Sequence, residues 1–327
     1  MIGFIEVLRA LATALVANSH FKGVYPSDIL SFGGGFGLAL FYMISGYLMA
    51  NMKEDTRFSK WYFPKCLRLY IPLYLVRLLE LLLGYEQINS FRSFFIDFIF
   101  PGSWFGGSMM ILYVLYFVLV KYWLKGESGH RVGIVLGISA ACYGILFATK
   151  PGIAAWSIQS LKIEEPFSVE TPYLITQFVW LSCMVIGYWL RKTGVTAKKN
   201  YPMLGAIVFS VLVFLGQRLL TRNGQYMVLE VILGPVYIIF SLSAFLLLSK
   251  CEAGCQKLLG TLGGKLISIV SMCSLEIYYI QFMWIALLKD LLFPVNLILL
   301  FVAIITSAYA VHWLSRTIVK KIPVAKQ

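Results

Sequence analysis

Residues 2–50 read IGFIEVLRALATALVANSHFKGVYPSDILSFGGGFGLALFYMISGYLMA and contain two long apolar segments. The first segment carries Arg9 and His20, whose spacing of eleven residues puts them within roughly 20° of one helix face. Along the helix axis they are separated by about 16 Å, so one lies deep in the segment and the other near its far end. Glu6 and Thr13 fall on the same stripe. Ionisable groups on an apolar helix are costly in a membrane, and this stripe therefore calls for an explanation.

The whole chain shares the apolar character of this first segment. Of the 327 residues, 59% are hydrophobic and only 13% are charged. A soluble domain could not cover its surface with so little charge. We predict an all-α polytopic membrane protein in which residues 1–327 form a single domain, a bundle of about ten transmembrane helices. The predicted spans are 3–21, 34–51, 69–84, 104–124, 132–149, 172–190, 202–219, 227–249, 266–288 and 296–315.

The positive charges predict the orientation of the bundle. The net charge of +13 would suit a nucleic-acid partner, but 19 of the 28 Lys and Arg residues fall in the connections on one side and 7 in those on the other. This asymmetry indicates that both termini are cytoplasmic, and it leaves no reason to expect nucleic acid. The apolar run 94–102 is too short to span and is expected to re-enter or lie along the outer surface. The connection 150–171 is expected to cover the outer side. The three histidines do not cluster, so we predict no metal site.

The second span carries small residues that favour close helix packing. Gly37, Phe41 and Ser45 recur at intervals of four residues, and Gly46 follows directly. Small side chains at such a spacing let two helices approach closely in a membrane. Packing is therefore the simplest interpretation of this face.

A basic segment, FPKCLRLYIP at 63–72, ends the first cytoplasmic loop. Lys65 and Arg68 are three residues apart and share a helix face. Retention of positive charge on the inner side explains them without a ligand. They could also form an anion clamp, because the planar fork of Arg is suited to phosphate. The spacing alone does not choose between these interpretations.

The ninth predicted span contains SMCSLEIYYIQFMW at 271–284 and places Glu276 near the middle of the bilayer. A carboxylate at this depth is a functional candidate, and we expect its partner to be Arg9 or Arg77. A buried ion pair that only holds the bundle together remains the alternative. Arg77 and Glu80, three residues apart in the third span, are expected to form a structural pair.

Taken together, these segments resemble the acyltransferase 3 family of bacterial integral-membrane O-acyltransferases. Arg9 and His20 match that family's Arg, ten residues, His. GLALFYMISGYLM at 37–49 is similar to its glycine-to-Phe-x-x-x-Ser-Gly span. KCLRLYIP at 65–72 is similar to its basic-x-x-Arg-x-x-x-Pro loop, and SLEIYYIQ at 274–281 to its Ser-aromatic-x-x-Tyr-Leu-x-His segment. The ordered set covers essentially the whole chain.

The sequence departs from the family pattern in two places. Gln281 stands where many members have His, and Lys65 stands where Arg is commoner. The first departure removes a second histidine from the late segment. The second weakens any expectation of a bidentate contact at that position.

The resemblance implies transfer of an acyl group, most simply acetyl from acetyl-CoA, to a hydroxyl of a polysaccharide or lipid-linked sugar. It implies a place in the bacterial cytoplasmic membrane, with envelope-polysaccharide biosynthesis proteins as partners. A hydroxyl is a poor nucleophile near neutral pH, and a positioned imidazole can remove its proton during attack. His20 is the histidine placed for this, because His130 falls in a cytoplasmic loop and His312 near the last cytoplasmic end.

Further residues receive roles from the same resemblance. Arg9 and Glu276 join His20 as catalytic candidates, and Arg9 is also assigned to the donor. Lys65 and Arg68 are expected to hold the donor's phosphates, with the pantetheine arm passing between helices toward His20. We then expect a continuous internal cavity from Arg68 to His20. The predicted acceptor-binding residues are Ser45, Trp104, Tyr278 and Gln281.

Two other function classes fit parts of the pattern. An exporter of polysaccharide or lipid-linked sugar would explain Arg9 and Glu276 equally well, but not the placement of His20 or the basic loop. A purely structural partner in an envelope complex would explain neither. Consumption of a thioester only when a sugar acceptor is present separates the first class from both others.

Overall fold

The computed structural model describes residues 2–85, 104–124, 129–149, 171–194, 200–221 and 226–322. Within these ranges the secondary structure is helical and no strand occurs, which confirms the predicted all-α class. The predicted run 94–102, and all but the last residue of the connection 150–171, lie outside them. The α-helices are α1 Gly3–Ser19, α2 Gly34–Met49, α3 Phe58–Leu82, α4 Trp104–Val118, α5 Gly129–Thr149, α6 Thr171–Thr193, α7 Tyr201–Thr221, α8 Leu233–Lys250, α9 Glu252–Leu259, α10 Leu262–Met272, α11 Ser274–Leu288 and α12 Val295–Lys321.

Several of these helices are long and apolar enough to cross a membrane. Six helical segments in the described ranges meet that condition, and a seventh does if α10 and α11 are taken as one bent span. The chain is thus a multi-pass membrane protein. The total of ten spans and the cytoplasmic side of both termini stay predictions.

The ninth predicted span, 266–288, is broken in the structure. Helices α10 and α11 meet at Cys273 with a bend of 84°. The Cys273 amide still donates to the Ile269 carbonyl oxygen at 2.9 Å, and its own carbonyl accepts from Ile277 at 2.9 Å, so its backbone groups stay paired through the bend. Hydropathy alone cannot reveal this break, because both helices are apolar.

Helix α3 begins much earlier than the span predicted at 69–84. It starts at Phe58 and continues through Pro64 and Pro72. The predicted boundary followed the charged residues, but charges on an exposed face do not interrupt a helix. As a result Lys65 and Arg68 lie on the same rigid helix as Arg77.

The structure divides into two compact units. The first unit comprises residues 1–37, 53–117 and 253–327. In it α1 packs against α10 and α11, and α3 packs against both α11 and α12. The start of α2 also approaches α1 closely, since a side chain at Gly37 would meet the Ala12 carbonyl oxygen at 2.5 Å.

The second unit comprises residues 38–52 and 118–252. In it α5 packs against α6, and α8 packs against both α6 and α7. Two glycines bring α2 and α6 into backbone contact: a Cβ atom at Gly46 would collide with the Met184 carbonyl oxygen, and one at Gly187 with that of Met43. This contact agrees with the packing role predicted for the small residues of the second span.

Candidate functional site

Most of the predicted site residues lie in the first unit, on α1, α3 and α11. Ser45 is half-buried on α2 in the second unit. Trp104 belongs to the first unit but starts α4, and its side chain is not described. Each of the other groups is built by one or two helices.

Three cations from two helices form the first group. Arg9 of α1 and Lys65 of α3 are both half-buried, and Arg68 is exposed. The charge of Arg68 acts on both of the others and links them into one cluster. Glu6 is the carboxylate whose charge acts on Arg9, and it also accepts a hydrogen bond from Ser268 at 3.2 Å. One carboxylate does not balance three cations, so this cluster favours an anionic ligand.

Lys65 is held by its own helix. Its Nζ donates to the Trp61 carbonyl oxygen at 2.9 Å and lies 3.8 Å from the centre of the Trp61 ring. Burial, and then the nearby positive charge of Arg68, lower the pKa of Lys65 to about 8. A bound phosphate would favour the charged form of this side chain.

His20 caps the opposite end of α1. Its backbone N–H donates to the Ala17 carbonyl oxygen at 3.0 Å, and its half-buried ring meets the edges of two aromatic rings. The ring centroid of Phe282 is 4.7 Å away and that of Tyr278 is 6.2 Å away. Within the described part of the chain, neither imidazole nitrogen has a hydrogen-bond partner or an ion pair, and one of them is therefore available to accept a proton.

The loop after α1 fixes the turn that carries His20. Asn18 donates to the carbonyl oxygens of Leu30 and Phe32 at 2.8 and 2.9 Å, and it accepts from the Tyr25 hydroxyl at 2.6 Å. The Ser31 hydroxyl donates to the Ser19 carbonyl oxygen at 3.0 Å. The bond from Ser31 uses a carbonyl group at the end of α1, and together these bonds tie the residues just before His20 to the loop that follows it.

The predicted partner of Glu276 was wrong. Its Oε1 lies 2.8 Å from Nδ1 of His312 on α12, and it makes no ion pair with Arg9 or Arg77. Arg77 instead bonds Glu80 at 3.1 Å, which confirms the pair predicted in the third span. The prediction failed because it considered only permanent cations as partners, whereas the structure pairs Glu276 with the imidazole of His312 on α12.

Tyr278 and Gln281 are both buried on α11. Tyr278 packs against the ring of His20 and, at 5.0 Å between centroids, against Phe105. Gln281 is 0% exposed, and neither its Nε2 nor its Oε1 has a hydrogen-bond partner among the described residues. A buried polar group left unsatisfied costs about 1–3 kcal/mol. The sequence marked Gln281 only as a departure from a pattern, and its unsatisfied state is a finding of the structure.

An apolar cavity of about 370 Å³ adjoins this region. Its wall is formed by side chains of α1, α10, α11 and α12, including Thr13, Ala17, Ile277 and Ile304. It includes neither Arg68 nor His20, so it is not the connecting cavity expected from the sequence. That connection stays a prediction.

Within the described ranges, no group of three or more His, Cys, Asp and Glu side chains is placed to hold a metal ion. His130, on α5, is exposed. The candidate site therefore consists of a cationic cluster, an imidazole and the polar groups of α11.

Comparison with known proteins gives one informative result. A family model described as an acyltransferase domain, that of the acyltransferase 3 family, matches residues 2–316. No match was found among curated proteins or among solved structures. The family match covers essentially the whole chain and includes every helix of the candidate site. The chain therefore belongs to the acyltransferase 3 family.

Proposed function

We propose that this protein is an O-acyltransferase of the bacterial cytoplasmic membrane. It would move an acyl group, most simply acetyl, from cytoplasmic acyl-CoA to a hydroxyl of a cell-envelope or secreted polysaccharide. The observation that carries the proposal is the arrangement on α1. Helix α1 bears Arg9, on which the charge of Arg68 acts, and about 16 Å farther along its axis it ends at His20, whose imidazole has no hydrogen-bond partner among the described residues.

The cationic cluster is assigned to the donor. Coenzyme A carries phosphate groups, and guanidinium and ammonium groups bind phosphate through charge-assisted hydrogen bonds. Arg68 repels both Arg9 and Lys65, so binding an anion beside it relieves a cost that the free protein carries. The extended pantetheine arm would then deliver the thioester along α1 toward His20.

His20 is assigned the role of general base. The acceptor hydroxyl oxygen attacks the thioester carbonyl carbon while His20 removes the hydroxyl proton. Collapse of the tetrahedral intermediate breaks the carbon–sulfur bond, and the imidazolium returns its proton to the leaving thiolate. The rings of Tyr278 and Phe282 fix the orientation of the imidazole for both transfers.

The remaining predicted residues have supporting roles in this proposal. Glu276, paired with His312, positions α11 against α12 rather than reacting with substrate. Ser45, Trp104, Tyr278 and Gln281 stay assigned to the acceptor side, and Tyr278 has the additional support of its contact with His20.

An exporter of polysaccharide or lipid-linked sugar is the competing proposal, since it too would place Arg9 and Glu276 inside the bundle. The purified protein distinguishes the two when it is supplied with acetyl-CoA and a polysaccharide acceptor. Free CoA and O-acetylated sugar should appear only when both substrates are present. Acceptor movement across vesicles without release of CoA would favour the exporter.

The donor site has its own test. Arg68→Ala should weaken acyl-CoA binding to the purified protein at least about tenfold, because it removes a charge-assisted contact. Lys60→Ala is the matched control, since Lys60 is an exposed cation on the same helix and outside the cluster. Equal affinity of the Arg68→Ala variant and the parent would contradict the assignment.

A further inference from the structure

The position of Gln281 on α11 relates it to both the imidazole and the apolar cavity. It follows Tyr278 by three residues and directly precedes Phe282, the two residues whose rings contact His20. At about 100° per residue, Gln281 lies about 60° around the helix from Tyr278 and about 40° from Ile277, which lines the cavity. Its amide therefore projects from the part of α11 between the imidazole and the cavity.

The side-chain amide of Gln281 needs a hydrogen-bond partner that the described residues do not provide. Gln281 is completely buried, and neither its Nε2 nor its Oε1 has a hydrogen-bond partner in the part of the chain that the structure describes. An unsatisfied amide in a buried wall is usually destabilising, and such groups are rare in native proteins. A ligand group that arrives only during the reaction would satisfy it.

We infer that Gln281 supplies the hydrogen bond that stabilises the oxyanion in acyl transfer, with its Nε2 donating to the thioester carbonyl oxygen. This inference rests on the proposed function and adds the hydrogen-bond donor that the oxyanion needs. As the acceptor oxygen bonds to the carbonyl carbon, the carbonyl electron pair moves onto oxygen. A fixed neutral donor in a site shielded from water stabilises that charge strongly and does not have to break another protein contact first.

An apolar residue in place of Gln281 should change turnover and stability in opposite directions. Replacing the amide by an apolar side chain of similar length removes the unsatisfied polar atoms, so the folded protein should become more stable. The same replacement removes the oxyanion donor, so kcat should fall by about 100-fold or more. The KM for acyl-CoA should change little, because the contact strengthens only in the transition state.

The experiment compares Gln281→Leu, Gln281→His and the parent as purified proteins, with acetyl-CoA and a polysaccharide acceptor. Gln281→Leu should raise the melting temperature and lower kcat about 100-fold. Gln281→His keeps a neutral N–H donor and should stay within about tenfold of the parent kcat. Gln217→Leu is the stability control, because buried Gln217 already donates to Thr221 at 3.2 Å and its loss should not stabilise the fold.

Two results would overturn the inference. A kcat for Gln281→Leu within about threefold of the parent would mean that water satisfies the amide and that no oxyanion depends on it. Loss of turnover in a Gln281→His variant that melts like the parent would show that a donor at this position is not what matters, and it decides the case even if Gln281→Leu unfolds. A parent protein that releases no CoA contradicts the proposed function itself, which keeps the two failures distinct.

Discussion

Buried Glu276 and half-buried His312 form a pair that joins two helices of the first unit. Oε1 of Glu276 and Nδ1 of His312 lie 2.8 Å apart, and the hydrogen bond between them fixes the orientation of the imidazole. The pair with His312 explains why Glu276 is buried without giving its carboxylate a catalytic role.

A double-variant cycle tests that role. Glu276→Ala and His312→Ala should each destabilise the protein by about 1–3 kcal/mol, because each leaves a buried or half-buried partner unsatisfied. Their effects should not add in the double variant, since they remove the same contact. Glu276→Gln keeps an acceptor oxygen and serves as the control. Unfolding in detergent measures the parent and the four variants, and strictly additive effects of the two alanine substitutions would contradict the pairing.

The lowered pKa of Lys65 predicts how donor binding responds to pH. The charged ammonium binds phosphate, and with a pKa of about 8 it loses its proton as the pH rises through that value. Acyl-CoA affinity should thus be highest below pH 8 and fall above it, by about tenfold for the loss of one charge-assisted contact. Lys65→Arg stays charged and should keep its affinity to higher pH. Identical pH profiles for both proteins would exclude Lys65 from the donor site.

The residues of the candidate site differ in how far the sequence could identify them. Arg9 and His20 share one helix, and Lys65 and Arg68 another, so spacing within each segment was enough to group them. The pairing of Glu276 with His312 spans 36 residues and depends on how α11 packs against α12. The unsatisfied state of Gln281 likewise depends on every neighbour of its side chain. Such tertiary contacts leave no periodic pattern in the sequence.

At the scale of the helix, two glycines determine how closely α2 and α6 approach. Small residues in the second span predicted this contact, and the structure supplies its partner in Gly187. Backbone contact of this kind replaces the hydrophobic driving force that is missing between helices in lipid.

Substitution of these glycines tests the packing. Gly46→Ala and Gly187→Ala should each destabilise the protein by about 1–3 kcal/mol, because a methyl group would force the two backbones apart. Gly137→Ala on α5 is the control, since nothing lies within 4 Å of the added Cβ. There the gain in helix propensity should stabilise the protein slightly. Thermal unfolding in detergent compares the three variants, and equal effects at all three positions would contradict the close approach.

The helix boundaries show where apolar periodicity reaches its limit. It located the apolar cores of the described helices well, and it failed at the bend around Cys273 and at the start of α3. At Cys273 the helix axis changes direction while the sequence stays apolar. At the start of α3 the sequence becomes charged while the helix continues. A count of apolar residues detects neither feature.

At the scale of the whole molecule, the distribution of positive charge predicts which side faces the cytoplasm. Cys251 is exposed and lies in a connection assigned to the inner side, so it is a native reporter of topology. A membrane-impermeant maleimide should label it only after the cells are permeabilised. Cys251→Ser removes the signal and controls for the other cysteines. Labelling of intact cells at Cys251 would reverse the orientation and would move Lys65 and Arg68 away from cytoplasmic acyl-CoA.

The account as a whole depends on His20 acting as the base at the far end of the helix that carries Arg9. The most direct measurement is acceptor-dependent release of CoA by purified His20→Ala and His130→Ala variants. Both should fold and bind acyl-CoA like the parent. We expect His130→Ala to retain parental turnover and His20→Ala to lose at least about 100-fold in kcat. Parental turnover in the His20→Ala variant would contradict the mechanism.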